Sequence, residues 1–94
     1  MRQYELIYII QADLDETTLE SVIDRVETQL KKNNGEVIKT ERWGKKKLAY
    51  PIRKMSEGFY VFSLVKLDPA SGVELKRNLG YVEQILRFSL LKSE

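Results

Sequence analysis

Two segments of this sequence, Gln3–Gln11 and Gly58–Asp68, carry apolar side chains on both faces of an extended chain. A strand of this kind needs cover on both sides, which the centre of a sheet provides and its edge does not. We therefore predict that both segments are central strands of one sheet. The alternating residues of the first segment are Leu6, Tyr8 and Ile10 on one face and Glu5, Ile7 and Ile9 on the other.

The residues after the first strand change to a helical period. Asp15 is suited to cap the first turn, and Lys31 and Lys32 favour the negative end of the helix. Asn34-Gly35 supplies a stop in the left-handed backbone region. We predict one amphipathic helix that packs on the sheet. Its apolar stripe consists of Leu19, Val22, Ile23, Val26 and Leu30.

Three further segments complete the pattern. Glu36–Trp43 alternates as a strand, and Pro69–Gly80 has helical spacing. Gln84–Lys92 alternates as a closing strand. The expected buried residues of the second helix are Val73, Leu75 and Leu79. In the closing strand we expect Leu86, Phe88 and Leu90 on one face and Ile85, Arg87, Ser89 and Leu91 on the other.

The resulting order is β-α-β-β-α-β. With right-handed crossovers this order predicts an α+β fold, the ferredoxin-like split β-α-β arrangement, in which a four-stranded antiparallel sheet carries both helices on one face. The first and third strands are central in that topology, in agreement with their apolar pattern. With 94 residues we expect a single domain, residues 1–94.

The composition disfavours an enzyme. The sequence contains neither histidine nor cysteine, which removes the commonest general base, the thiolate nucleophiles and the usual zinc ligands. We expect no catalytic residue, no metal, no cofactor and no small-molecule substrate. No apolar run approaches the ~18 residues of a membrane span, and the N-terminus does not resemble a signal peptide. We expect a cytoplasmic protein without a membrane partner.

The positive charge is concentrated in one stretch, Lys39–Lys54, which we call the basic segment. It holds seven Lys or Arg and one acid, a net charge of +6, so that the other residues carry −4 in a chain of net charge +2. Three successive lysines, Lys45, Lys46 and Lys47, cannot share one side of a strand, and we expect them at a turn or hairpin tip. Such cations either contact nucleic-acid phosphates or keep a hairpin soluble, and composition does not separate these alternatives.

Aromatic residues accompany the cations. If Val61 and Val65 face the helices, the open face of the sheet carries Tyr60 and Phe62. Exposed aromatics on a sheet stack on unpaired bases in RNA-binding modules, and they also pack against protein partners or neighbouring side chains. All three roles stay open for Tyr60 and Phe62 at this point.

Several stretches resemble one known family, the bacterial small-subunit ribosomal protein number six. They are MRQYELIYII, WGKKKLAYPIRK, GFYVFSL, ELKRNL and ILRFSLLK, of which WGKKKLAYPI is the most specific. The resemblance runs nearly from end to end. It implies a ferredoxin-like, non-enzymatic constituent of the small ribosomal subunit.

The resemblance also implies partners and sites. It implies binding to the central domain of small-subunit ribosomal RNA together with ribosomal protein number eighteen, as a heterodimer on the platform. The expected RNA-binding residues are Arg2, Tyr4, Arg42, Lys45, Lys46, Lys47, Arg53, Lys54 and Arg87. We expect Tyr60 and Phe62 to contact the partner protein, and Trp43 and Tyr50 to position the basic hairpin. The alternative is a protein-interaction module that uses the open sheet face, with lysines serving solubility.

Overall fold

The elements of the fold follow the predicted order. The computed structural model describes residues 1–93. In chain order the elements are strand β1 (Arg2–Gln11), helix α1 (Glu16–Lys32), strands β2 (Glu36–Ile52) and β3 (Met55–Leu67), a 3-10 turn (Pro69–Ser71), helix α2 (Gly72–Gly80) and strand β4 (Ile85–Lys92). The predicted ferredoxin-like class is confirmed.

The four strands form one antiparallel sheet in the order β2-β3-β1-β4. β1 and β3 are therefore the central strands, as their apolar pattern predicts. Tyr8 of β1 lies between Val61 of β3 and Phe88 of β4. The helices cover the face that carries Leu6 and Ile10, both completely buried. We call the other side of the sheet the open face.

Helix α1 begins and ends where the sequence indicates. The Asp15 side chain accepts a hydrogen bond of 2.8 Å from the Thr18 N–H. That bond lowers the pKa of the Asp15 carboxyl. At the other end Asn34 takes the left-handed conformation, φ 61°, and the Gly35 N–H donates to the Leu30 carbonyl at 2.7 Å. This is a Schellman end, and a Cβ on Gly35 would lie 2.9 Å from that carbonyl oxygen.

Helix α2 differs from the prediction at one position. Leu75 and Leu79 are buried, but Val73 is 69% exposed. Residues two apart on a helix point in nearly opposite directions, so Val73 cannot share the face of Leu75 once the helix begins at Gly72. Val82, in the connection after the helix, is buried in the core instead.

The closing strand contains a bulge that changes the expected alternation. Ile9 lies opposite Arg87, whereas Ile10 lies opposite Ile85, so the register shifts between them. Ile85 consequently belongs to the buried core, against which Phe88 also packs. Our expectation that Ile85 lies on the opposite face from Phe88 is wrong, because one extra residue in a strand reverses the side to which the following side chains point.

The hairpin of β2 and β3 is longer than the sequence indicates. β2 continues without a break through the lysine run to Ile52, and the chain reverses at Arg53–Lys54. The expectation that Lys45, Lys46 and Lys47 lie at a turn is therefore wrong. Both turn residues have positive φ, 51° and 66°, as the two central residues of a type I′ turn require.

Candidate nucleic-acid interface

The lysine run of β2 is divided between the two sides of the sheet. Lys45 is paired with Phe59, whose side chain packs against the core, and Lys47 is paired with Glu57. Residues directly opposite in an antiparallel pair point to the same side, so Lys45 and Lys47 point to the helix side. Lys46, between them, points to the open face. All three lysines are exposed.

A bulge just before the lysines contains Trp43, whose ring lies on the open face. Arg42 is paired with Val61 and Gly44 with Tyr60, which leaves Trp43 as the extra residue. Gly44 has φ 89°, a conformation that glycine adopts without strain. The ring of Trp43 stacks on Phe62 with centroids 5.3 Å apart and planes 3° from parallel.

The open-face cluster consists of Trp43, Lys46, Tyr60 and Phe62. The Lys46 ammonium lies 5.0 Å from the Trp43 ring centroid and 5.7 Å from that of Tyr60, within the range of cation–π attraction. Tyr60 and Phe62 are half-buried. One ring face of Phe62 is already covered by Trp43, so a base or a partner group meets the cluster as a whole and not an isolated ring.

Glu41, beside the open-face cluster, interacts with both Trp43 and Lys39. The Trp43 indole N–H donates to Glu41 at 3.2 Å, and the Lys39 ammonium lies 3.4 Å from Glu41. The hydrogen bond from Trp43, followed by the charge of Lys39, lowers the pKa of the Glu41 carboxyl.

Arg42 lies on the helix side, and its charge is compensated by α1. Its guanidinium Nη1 donates to Glu16 at 2.5 Å, and Nη2 lies 3.8 Å from Glu20. The hydrogen bond to Glu16 raises the pKa of Arg42, and the two carboxylates add to that effect. No local sequence pattern predicts that Glu16 accepts a hydrogen bond from Arg42, because the two residues are 26 positions apart.

The end of the hairpin crosses the open face to the far edge of the sheet. Arg87 of β4 donates a hydrogen bond to the Tyr50 hydroxyl. Arg53 donates to the backbone carbonyl of Glu83 at 2.7 Å. Lys54, beside Arg53 in the turn, lines a shallow groove together with Lys45, in which Asp13 and Glu57 also take part.

Arg2 and Tyr4 lie at the opposite end of the sheet from the turn. Arg2 is exposed and is paired with Leu67, the last residue of β3. Tyr4 is half-buried and packs against the core. The expected RNA-binding residues therefore do not form one continuous patch.

Residues 1–93 contain neither a membrane-spanning helix nor a metal-binding group of side chains. No helix within residues 1–93 is long and apolar enough to cross a membrane. Within the same residues no group of three or more acidic, histidine or cysteine side chains is arranged to hold a metal ion.

Comparison with known protein families gives one consistent result. A family model described as "Ribosomal protein S6" matches residues 3–92. The chain is 36% identical to the small ribosomal subunit protein bS6 of Fusobacterium nucleatum, with all of both chains covered. It is 41% identical to the bS6 of Clostridioides difficile, over 97% of this chain and 98% of that protein.

Solved structures show the same relationship. The crystal structure of 30S ribosomal protein S6 from Thermotoga maritima matches with a TM-score of 0.91 at 29% identity, covering 98% of this chain and 87% of that one. A chain in the structure of the chemotaxis kinase CheA P2 domain in complex with the response regulator CheY, from Thermotoga maritima, matches with a TM-score of 0.66 at 15% identity; this likeness is one of fold alone.

Proposed function

Because the chain belongs to the ribosomal protein S6 family, we propose that it binds the central domain of small-subunit ribosomal RNA together with ribosomal protein number eighteen. The family is one of structural proteins of the small ribosomal subunit in the cytoplasm, and not of enzymes. Affinity for RNA comes chiefly from cations that replace the counterions of phosphates.

RNA contact is supported by lysines of the basic segment that form no salt bridge within residues 1–93. Lys45, Lys47 and Lys54 are exposed, and none of them has a salt-bridge partner among residues 1–93. Arg42, by contrast, is neutralised by carboxylates, and Lys46 lies over aromatic rings. We therefore assign the main phosphate contacts of the basic segment to Lys45, Lys47 and Lys54.

A titration of a central-domain RNA fragment at several salt concentrations tests this assignment. Lys45→Ala/Lys47→Ala should reduce the slope of log K against log salt by about 1.4 to 1.8, which corresponds to two phosphate contacts. Lys46→Ala should change the slope by less than one contact. A matched control is Lys31→Ala/Lys32→Ala, which removes the same charge from the end of α1.

Two results would contradict the proposal. One is a wild-type slope in Lys45→Ala/Lys47→Ala. The other is an equal loss in the α1 control, which would mean that total charge and not the site governs binding. Circular dichroism of each variant confirms that the fold is retained.

The open-face cluster supports a second role, contact with a protein partner. Trp43, Tyr60 and Phe62 form an aromatic surface on the side of the sheet that neither helix covers, and aromatic residues are enriched in the centres of protein interfaces. We assign the contact with ribosomal protein number eighteen to this cluster. Phosphate contacts of Lys45 and Lys47 are compatible with a protein on Tyr60 and Phe62, because the two lysines and the two aromatic residues point to opposite sides of the sheet.

A further inference from the structure

The path of the distal hairpin, residues 48–56, is set by an irregularity in strand pairing. Lys47 is paired with Glu57 and Ile52 with Met55, so four residues of β2 lie opposite the single residue Ser56. Extra residues on one strand bend it and increase its twist. Pro51 lies within this bulge, where its missing N–H removes no regular ladder bond. The bend directs the hairpin back over the open face.

The base of the distal hairpin is packed against the sheet. Leu48 is buried, and it lies with Ile9 over Gly58. A Cβ on Gly58 would be 2.3 Å from the Ile9 side chain and 3.4 Å from that of Leu48. Gly58 therefore provides the space through which the hairpin approaches β1.

Two arginine contacts hold the far end of the hairpin. Arg87 donates to the Tyr50 hydroxyl, and Arg53 donates to the Glu83 carbonyl. β4 is at the opposite edge of the sheet from β2, with β3 and β1 between them. The Tyr50–Arg87 contact joins residues 37 positions apart, and the Arg53–Glu83 contact joins residues 30 positions apart. Together they connect the end of the hairpin to the opposite edge of the sheet.

The chemistry of these two contacts leaves the arginine charges uncompensated. Both acceptors are neutral oxygens, and neither arginine has a carboxylate partner within residues 1–93. A guanidinium has five N–H donors, of which each contact uses one. The remaining donors are available for bidentate contact with a phosphate. Arg42, held by Glu16, shows the opposite arrangement.

The turn of the distal hairpin holds two cationic residues in the left-handed backbone region. Arg53 and Lys54 both adopt positive φ, which asparagine or glycine would adopt at lower cost. A strained conformation kept by two long cationic residues is consistent with a binding role. The hydrogen bond of Arg53 to Glu83 helps to hold that conformation.

We propose that the Tyr50–Arg87 and Arg53–Glu83 contacts form a latch that fixes the distal hairpin on β4 and on the connection before it, and thereby holds Arg53 and Arg87 as one phosphate-binding cluster of two arginines. Tyr50 is a positioning residue in this arrangement and contacts no phosphate itself. The proposal rests on the proposed RNA binding. Its advantage is preorganisation, since cations fixed before binding lose less conformational freedom when RNA is bound.

Tyr50→Phe tests the latch, because it removes the hydrogen-bond acceptor without changing the charge. Tyr81→Phe is the matched control, as Tyr81 is 74% exposed and lies outside the hairpin. In the free protein, amide hydrogen exchange of residues 49–55 should be about three-fold faster in Tyr50→Phe, as expected for one exposed hydrogen bond to a charged group. The exchange rates in α1 should stay as in the wild type.

RNA titrations then test the cluster. Tyr50→Phe should lower affinity by about three- to ten-fold and flatten the salt slope by up to about one contact, although it removes no cation. Arg87→Lys, which keeps the charge and loses the planar donor group, should speed hairpin exchange to a similar degree.

The outcomes separate the latch from the RNA-binding function. Exchange in Tyr50→Phe and Arg87→Lys equal to that of the wild type would overturn the latch. Faster exchange with unchanged affinity and salt slope would overturn the positioning role. If the wild-type protein shows no salt-dependent RNA binding, the proposed function and the phosphate-binding cluster both fail, while the exchange data still report whether the latch exists.

Discussion

Replacement of Tyr8 by phenylalanine removes one hydroxyl group from the centre of the core. Tyr8 has no exposed surface, and its hydroxyl has no hydrogen-bond partner among the described residues. Burial raises the pKa of the phenol, and the charge of Glu27 raises it further, while Arg42 acts in the opposite direction. The hydroxyl is therefore a buried polar group that loses its hydration without compensation.

The expected effect is an increase in stability. A buried polar group without a partner costs about 1 to 3 kcal/mol, and phenylalanine fills nearly the same volume. After allowance for lost packing contacts of the oxygen, we expect the free energy of unfolding to rise by about 1 kcal/mol. For 94 residues the unfolding entropy is about 0.2 kcal/mol/K, so the melting temperature should rise by about 5 °C.

Alkaline pH gives an independent measurement on the same variant. Between pH 10 and the raised pKa of folded Tyr8, the unfolded chain releases this proton and the folded protein retains it. Stability therefore falls as pH rises, at up to about 1.4 kcal/mol per pH unit from this group. Tyr8→Phe lacks that contribution, so its advantage over the wild type should grow above pH 10 in urea titrations.

The control is Tyr81→Phe, which removes the same atom from an exposed side chain. It should change neither the melting temperature nor the alkaline slope measurably. A destabilisation of 1 kcal/mol or more in Tyr8→Phe would refute the reasoning, because it would show that the hydroxyl is hydrogen-bonded in solution, for example to a buried water molecule.

Two further predictions concern the hairpin and the open face. Gly58→Ala should lower the free energy of unfolding by about 1 to 3 kcal/mol in urea titrations, because its Cβ would lie 2.3 Å from the Ile9 side chain. Gly80→Ala is the control, since a Cβ there would have no atom within 4 Å. An equal loss of stability in Gly80→Ala would contradict the explanation. Tyr60→Ala/Phe62→Ala should weaken the proposed binding of ribosomal protein number eighteen at least ten-fold in calorimetry. The affinity for RNA, measured in the absence of that protein, should be unchanged. A loss of RNA affinity alone would instead assign the open-face cluster to base stacking.

The architecture follows from patterns that are local in the sequence. The stripe from Leu19 to Leu30 predicts α1, and Asp15 and Asn34 mark its ends, because helix periodicity and capping involve residues only a few positions apart. The double-sided apolar pattern of Gln3–Gln11 identifies a central strand for the same reason. These features are readable without knowledge of the rest of the chain.

Alternation fails where strand pairing is irregular. Ile85 enters the core through a bulge in the register with β1, and the bulge between Arg42 and Gly44 determines that Lys45 points to the helix side. Whether an extra residue is accommodated at a given position depends on the partner strand and on what packs against it. The side to which each cation of the basic segment points is therefore a property of the assembled sheet.

The sequence alone determined the order of elements, the central strands, the main helix and the concentration of positive charge in the basic segment, since these depend on composition and on spacing over a few residues. Only the tertiary structure decided that Lys46 is separated from Lys45 and Lys47, that Arg42 is neutralised by α1, and that Arg87 holds Tyr50. These contacts join residues tens of positions apart, and the twist and bulges of the sheet, which no local pattern encodes, bring them together.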